Sequence, residues 1–309
     1  MGIKKSKITN SEQSSSLTLL QKINKKIPPY IYISPFFIGF ILFQLVPIAF
    51  SLFLGFADWN GMSEIKIIGF ENFIKLFQDA KFWNAFSVTF IITVVCTIVG
   101  TAGATLLAVI LEKVTDKVAS ILRVFFFLPS VTSVVVIASV WKLLYSADYG
   151  LFNNILLKLN LPPQEWLTDV HWALPALIIM LIWAGLGWDS LIIAAGLRSI
   201  SEELYDAGKV DGTNAWTEFW HITLPLLRPT LLFVLVTGVI FLWGIYAQAS
   251  LLTGGGPLRH TQTIAMYLYD NGFRYHRFGY ASAIAIVLSL VMFISSFISV
   301  RLVRYEEWQ

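Results

Sequence analysis

Six long uncharged stretches dominate the chain: residues 27–57, 82–111, 124–141, 170–188, 229–258 and 278–300. The fourth resumes after Asp189 and stays uncharged over 190–197. A helix crossing a hydrocarbon layer of about 30 Å needs about 20 apolar residues, and every stretch reaches or approaches that length. The third gains a turn at each end from Ile121-Leu122 and Leu143-Leu144-Tyr145. In lipid, only helices and closed barrels satisfy all of their own backbone polar groups. Barrel strands would alternate in polarity over about ten residues, whereas these runs are continuously apolar. The expected fold is all-α, with six transmembrane helices at 30–57, 84–111, 121–145, 171–197, 222–252 and 278–303 in one membrane domain, 30–305. With 56% hydrophobic and 13% charged residues, the chain has about half the charge of a soluble domain. That excludes a soluble enzyme, a nucleic-acid binder and a disordered protein.

Charge distribution sets the orientation. With the N-terminus inside, the inner side receives 14 of the 22 Lys and Arg and the outer side 8, so both termini are expected in the cytoplasm. The loop before the last helix, with Arg259, Arg274 and Arg277, runs against that trend. Residues 1–29 are polar and Ser/Lys-rich and read as a cytoplasmic tail. The apolar run that follows is too long for a signal core and lacks a small-x-small cleavage site before Asp58, so it is expected to stay as the first helix. Loops 58–81 and 146–170 read as short ordered caps. The single cysteine, Cys96, lies in an apolar run, which leaves no intrachain disulfide. His171, His221, His260 and His276 are widely separated in or beside loops, so neither a metal site nor a catalytic centre is expected.

The segment from Arg198 to Arg228 breaks the apolar pattern. Ser201 is a plausible N-cap, and Glu202 and Glu203 complement the positive end of a helix dipole. Gly208 weakens that helix and Gly212 ends it. Thr213 or Asn214 can cap a second short helix carrying Trp216, Phe219 and Trp220, and Pro225 and Pro229 mark re-entry into the bilayer. From the residues alone, two readings stand: a loop lying on the membrane surface, which the tryptophans suit, and a rigid docking knob.

This segment resembles the signature of binding-protein-dependent ABC importer permeases, Glu-Ala-Ala, three residues, Gly, nine residues, Ile-x-Leu-Pro. Here Asp206-Ala207-Gly208, Gly212, Ile222, Leu224 and Pro225 stand at that spacing, with Asp for Glu and Gly for the second Ala. The order of further fragments is similar to the carbohydrate-uptake type: PFFIGF (35–40), ADWN (57–60), FFFLPS (125–130), DYGLFN (148–153), LTGGGP (252–257) and FGYASA (278–283). The resemblance implies a type I ABC importer transmembrane domain in the bacterial cytoplasmic membrane. It implies a second permease as partner (a heterodimer), two ATPase subunits, an extracytoplasmic solute-binding protein and a sugar or oligosaccharide as solute. Segment 201–220 would then be a coupling helix, with Glu203, Tyr205, Asp206, Ala207, Gly208, Asp211, Gly212, Leu224 and Pro225 as its ATPase-coupling residues. Asp206 would meet a basic group, Ala207 and Gly208 would keep the helix slim, Gly212 would set the turn and Pro225 the junction.

The chain has no phosphate loop of its own: its one Gly-Lys pair, Gly208-Lys209, is followed by Val210. ATP and Mg are therefore expected on the ATPase subunits, with no cofactor on this chain. For the solute path, Asp189 is the one ionisable residue deep within an apolar run. Trp183 and Trp188 beside it, and Trp243, Tyr246 and Gln248 in the fifth run, complete a polar-aromatic set suited to sugars. The alternative is an Asp189 paired to a neighbouring helix or a partner chain, with the tryptophans facing lipid. Another function class, a self-contained secondary transporter or channel, would require coupling carboxylates in several helices or a selectivity loop. The three outer arginines could attract an anionic solute or bind the solute receptor.

Overall fold

The computed structural model describes residues 32–304; the expected tail at 1–29 lies outside them. Two compact units meet between Phe53 and Leu54. The first holds nearly all of helix α1, Tyr32–Leu54. Within it, Ile41–Leu45 form a π-helical turn in which the Val46 N–H donates to the Ile41 carbonyl. Pro47 follows two residues later. It has no N–H for the carbonyl four residues back and its ring crowds that position, so the chain relaxes by widening one turn.

The second unit begins with a two-stranded antiparallel ribbon, β1 (Ala57–Asp58) and β2 (Lys66–Ile67), followed by α2 (Glu71–Gln78). Helix α3, Ala80–Lys113, has 34 residues. At 1.5 Å per residue it runs about 50 Å, well beyond the hydrocarbon layer. Helices α4 (Asp116–Val131) and α5 (Val134–Leu144) follow, then the short outer-loop helix α6 (Leu151–Lys158) and the central helix α7 (Ala173–Arg198). Beyond these come α8 (Glu202–Val210), α9 (Ala215–Trp243), α10 (Ala247–Leu252), α11 (Ile264–Tyr269) and α12 (Phe278–Arg304). Five helices, α1, α3, α7, α9 and α12, are individually long and apolar enough to cross a membrane.

The expected third helix, 121–145, is corrected to a bent pair: the chain bends by 118° between α4 and α5. Pro129 cannot donate into the helix, and the Thr132 hydroxyl donates to the Leu128 carbonyl at 2.7 Å. Ser133 then restarts the helix by accepting the Val135 N–H at 3.4 Å. Counted as one span, the pair makes six. The expected fifth helix, 222–252, is likewise interrupted at Gly244–Tyr246. There the Ile245 carbonyl accepts the Thr263 hydroxyl at 2.7 Å, which satisfies a group the helix would otherwise have used.

Helix α7 centres the main core. Its Ala176, Leu177 and Met180 are fully buried, against Val88 and Ile92 of α3, Trp141 of α5 and Leu242 of α9. Farther along, Gly187 lets two backbones touch: a Cβ there would lie 2.0 Å from the Phe126 carbonyl oxygen of α4. Small residues at crossings are how helices gain van der Waals contact where lipid removes the hydrophobic drive. This crossing fixes the rotation of α7, and with it the directions of Trp188 and Asp189.

Asp79, just ahead of α3, ties three elements together. Its carboxylate accepts the Lys81 N–H at 2.9 Å, the Tyr280 hydroxyl at 2.9 Å and the Tyr267 hydroxyl. Burial pushes its pKa up, but the two phenols, the backbone cap and the Lys81 charge outweigh it and hold the carboxyl below its ordinary 3.8. Stability from this group is therefore complete above the unfolded value and is lost as pH falls through the lower folded one. Asp79→Ala is expected to cost about 1–2 kcal/mol at neutral pH. Thermal melts of the purified protein should show the gap between wild type and variant closing below about pH 4; a gap constant down to pH 3 would count against this role.

Candidate functional site

The loop between α7 and α9 is built from capped pieces. The Ser201 hydroxyl accepts the Glu203 N–H at 3.3 Å and opens α8. At the other end, Gly212 N–H donates to the Lys209 carbonyl at 3.1 Å and Thr213 N–H to the Gly208 carbonyl at 3.0 Å. With Gly212 at φ +78°, this is a Schellman closure, which needs a left-handed residue at that position. Asn214 then accepts the Thr217 N–H at 2.9 Å and starts α9.

Helix α8 has two faces. Inward, the Tyr205 hydroxyl shares a 3.2 Å hydrogen bond with Thr223. Gly208 is buried, and a Cβ there would lie 2.9 Å from Thr213 Oγ1 and 3.0 Å from Ile222 Cδ1. Two side chains fill the space that the second alanine of the signature would occupy, which explains the glycine. Outward stand Glu203, Asp206, Ala207 and Asp211, with Val210 87% exposed. Asp206 holds Lys209 at 2.8 Å, and the hydrogen bond, then the charge, raises the Lys209 pKa. Exposed pairs of this kind are weak and exchangeable.

The second short helix does not close off. It passes through a π-helical turn, Phe219–Thr223, directly into the membrane span, so α9 is continuous over Ala215–Trp243. Pro225 lies two residues past that turn, as Pro47 does in α1. Leu224 sits at the junction, its N–H donating to the Phe219 carbonyl.

A cavity of about 510 Å³ opens among α3, α4, α5, α7, α9 and α10. Its wall carries Ser130, Thr132, Trp188, Asp189, Thr237 and Gln248. Asp189 is half-buried. A Cβ on Gly185 would come only to 3.8 Å from its carboxylate oxygen, so one flank stays open. No hydrogen bond or ion pair reaches that carboxylate among the described residues. Polar groups at membrane depth are tolerated where they line such a cavity.

A family described as binding-protein-dependent transport system inner membrane component matches residues 104–305. The chain belongs to this family. The permease is 32% identical over 284 residues to the arabinooligosaccharides transport system permease protein AraP of Bacillus subtilis, covering 90% of this chain and 89% of that one. It is 31% identical over 274 residues to the lactose transport system permease protein LacF of Rhizobium radiobacter, covering 87% and 91%. Its fold is similar to a chain of a bacterial alginate ABC transporter solved in complex with an alginate pentasaccharide-bound periplasmic protein. That match has a TM-score of 0.80 and 26% identity, covering 91% of this chain and 95% of that one.

The structure divides the residues singled out for the permease's solute path. Trp188, Asp189 and Gln248 share the cavity wall. Trp183 instead packs against Trp141, with ring centroids 5.5 Å apart. Trp243 is 2% exposed and packs against Phe86 at 5.3 Å, while Tyr246 lies 5.0 Å from Tyr269. None of these three is among the residues lining the cavity. Sequence reasoning missed Thr237 and the hydroxyls at the α4–α5 break, as well as Val210 and Lys209 on the loop. The Asp206-x-x-Lys209 spacing was a readable signal for the ion pair.

Gly212→Ala places a Cβ in a left-handed conformation, at a cost of roughly 1–2 kcal/mol. Uptake per assembled complex is expected to fall, with Gly212→Asn retaining more because asparagine tolerates that conformation. Equal loss in both variants would sink the closure argument.

Proposed function

We propose that this permease is one transmembrane subunit of an ATP-driven, solute-binding-protein-dependent importer that moves a sugar or oligosaccharide across the bacterial cytoplasmic membrane by alternating access. In this reading six spans put both termini on the same side, the cytoplasm, with the domain over 30–305 and the coupling segment at 201–220. A second, different permease completes the pathway. Two ATPase subunits bind and hydrolyse ATP with Mg, while this chain catalyses no reaction, and an extracytoplasmic binding protein delivers the solute. The names of the relatives support the solute class, and the charge asymmetry of the loops supports the orientation.

One observation carries this reading: an acidic, partly apolar knob, closed by Gly212, that is continuous with a membrane-spanning helix lining the cavity. A push on α8 passes through Tyr205–Thr223 and the Gly208 contact into α9 without a flexible joint. Asp206 exchanges Lys209 for a basic group of the ATPase.

Removing a charge-assisted contact weakens association by about ten- to hundredfold. Asp206→Ala is therefore expected to lower co-purification of the ATPase subunits and abolish ATP-dependent uptake, whereas Lys209→Ala preserves or tightens the association. The opposite ranking would refute the exchange. In turn, Asp189→Ala is expected to lower uptake while the ATPase subunits still co-purify; undiminished uptake would remove Asp189 from the path.

A further inference from the structure

The cavity wall has one acidic or basic side chain among the described residues, and it is an acid, Asp189. The hydroxyls around it reinforce its sign. Ser130 donates to the Phe127 carbonyl at 2.6 Å, Thr132 to Leu128 at 2.7 Å and Thr237 to Phe233 at 2.7 Å. With their protons engaged by backbone, these three present oxygen lone pairs to whatever enters. The Gln248 amide and the Trp188 indole are the N–H donors that remain on the wall.

No cation of the outer loop answers this charge. Arg274 holds Asp270 at 3.1 Å, Arg259 donates to Gln262 at 3.4 Å, and Arg277 lies 6.0 Å over the Tyr275 ring. Among the described residues only Arg274 is paired with an anion, and none of the three is among the residues of the cavity wall. A solute in the cavity therefore meets one carboxylate, three acceptor oxygens and two N–H donors, with no cationic side chain among the described residues of the wall.

We propose that this wall is a charge filter: the permease passes hydroxyl-rich neutral glycans and ammonium-bearing amino sugars, and rejects solutes carrying carboxylate, sulfonate or phosphate groups. The filter rests on the importer reading, because it matters only if solute crosses this cavity. Its chemistry is simple. Sugar hydroxyls and ammonium groups donate to Asp189 and the three oxygens, whereas an anion faces like charge in a confined space of low dielectric.

The test reads the field of the wall directly and needs no knowledge of the solute. In the complete importer, Cys96→Ser removes the chain's one cysteine and Thr237→Cys sets a thiol on the wall. Three methanethiosulfonate reagents of matched size, carrying trimethylammonium, no charge or sulfonate, are compared after normalising each to its rate with a free thiol. The cationic reagent is expected to outpace the anionic one by on the order of tenfold. Asp189→Asn should bring that ratio close to one, as should raising salt to about 1 M in the protein with Asp189 intact. The salt arm needs no further variant and survives any assembly defect of Asp189→Asn. A ratio near one with Asp189 present, a ratio insensitive to both Asp189→Asn and salt, or no labelling by any reagent overturns the filter. If the charge ratio appears but ATP-dependent uptake does not, the importer reading fails while the electrostatics of the wall stand.

Discussion

A bilayer offers no water to an unpaired backbone group, and the architecture of this permease follows from that constraint. Wherever a span departs from a straight helix, a local donor or acceptor takes over. Thr132 and Ser133 do so at the α4–α5 bend, and Thr263 does so at the gap after α9. Pro129 precedes the α4–α5 bend and Gly244 opens the gap after α9, and in both places hydroxyls take up backbone groups. The same breaks bring polar side chains to membrane depth, so the cavity opens where the spans are irregular.

The mechanical consequence lies at the other end of α9. A docking element on a flexible tether would lose force to the tether. Here the second short helix and the span are one helix, and α8 is held to its base by a hydrogen bond, a buried glycine and a capped turn. The acids on the outer face give the knob its sign, and Val210 and Ala207 give it an apolar surface to bury. In the proposed coupling role, such a lever would depend on stiffness more than on the strength of any one contact.

Much of this was legible in the sequence. Apolar length located the spans, and the spacing from Asp206 to Pro225 located the loop, because both follow from local chemistry. The break at 131–134 escaped because apolar length does not register a proline followed by a Thr-Ser pair. Trp183, Trp243 and Tyr246 were grouped with Asp189 because tryptophan and tyrosine serve equally as sugar platforms and as core. The rotation of α7, set by Gly187 against Phe126, turns Trp188 and Asp189 to the cavity and Trp183 to Trp141, while packing against Phe86 and Tyr269 holds Trp243 and Tyr246 elsewhere. That rotation is a tertiary fact with no signature along the chain.

The π-helical turn at Phe219–Thr223 is more than an accommodation of Pro225. A wide turn adds one residue to the helix without adding a full turn, which advances everything on its far side by about 100°. The phase between the knob and the cavity-lining face of α9 is therefore indexed by a single residue. Lengthening or shortening this turn would leave every contact of the knob chemically intact and point it elsewhere, so the sequence is bound here by count as strictly as by composition.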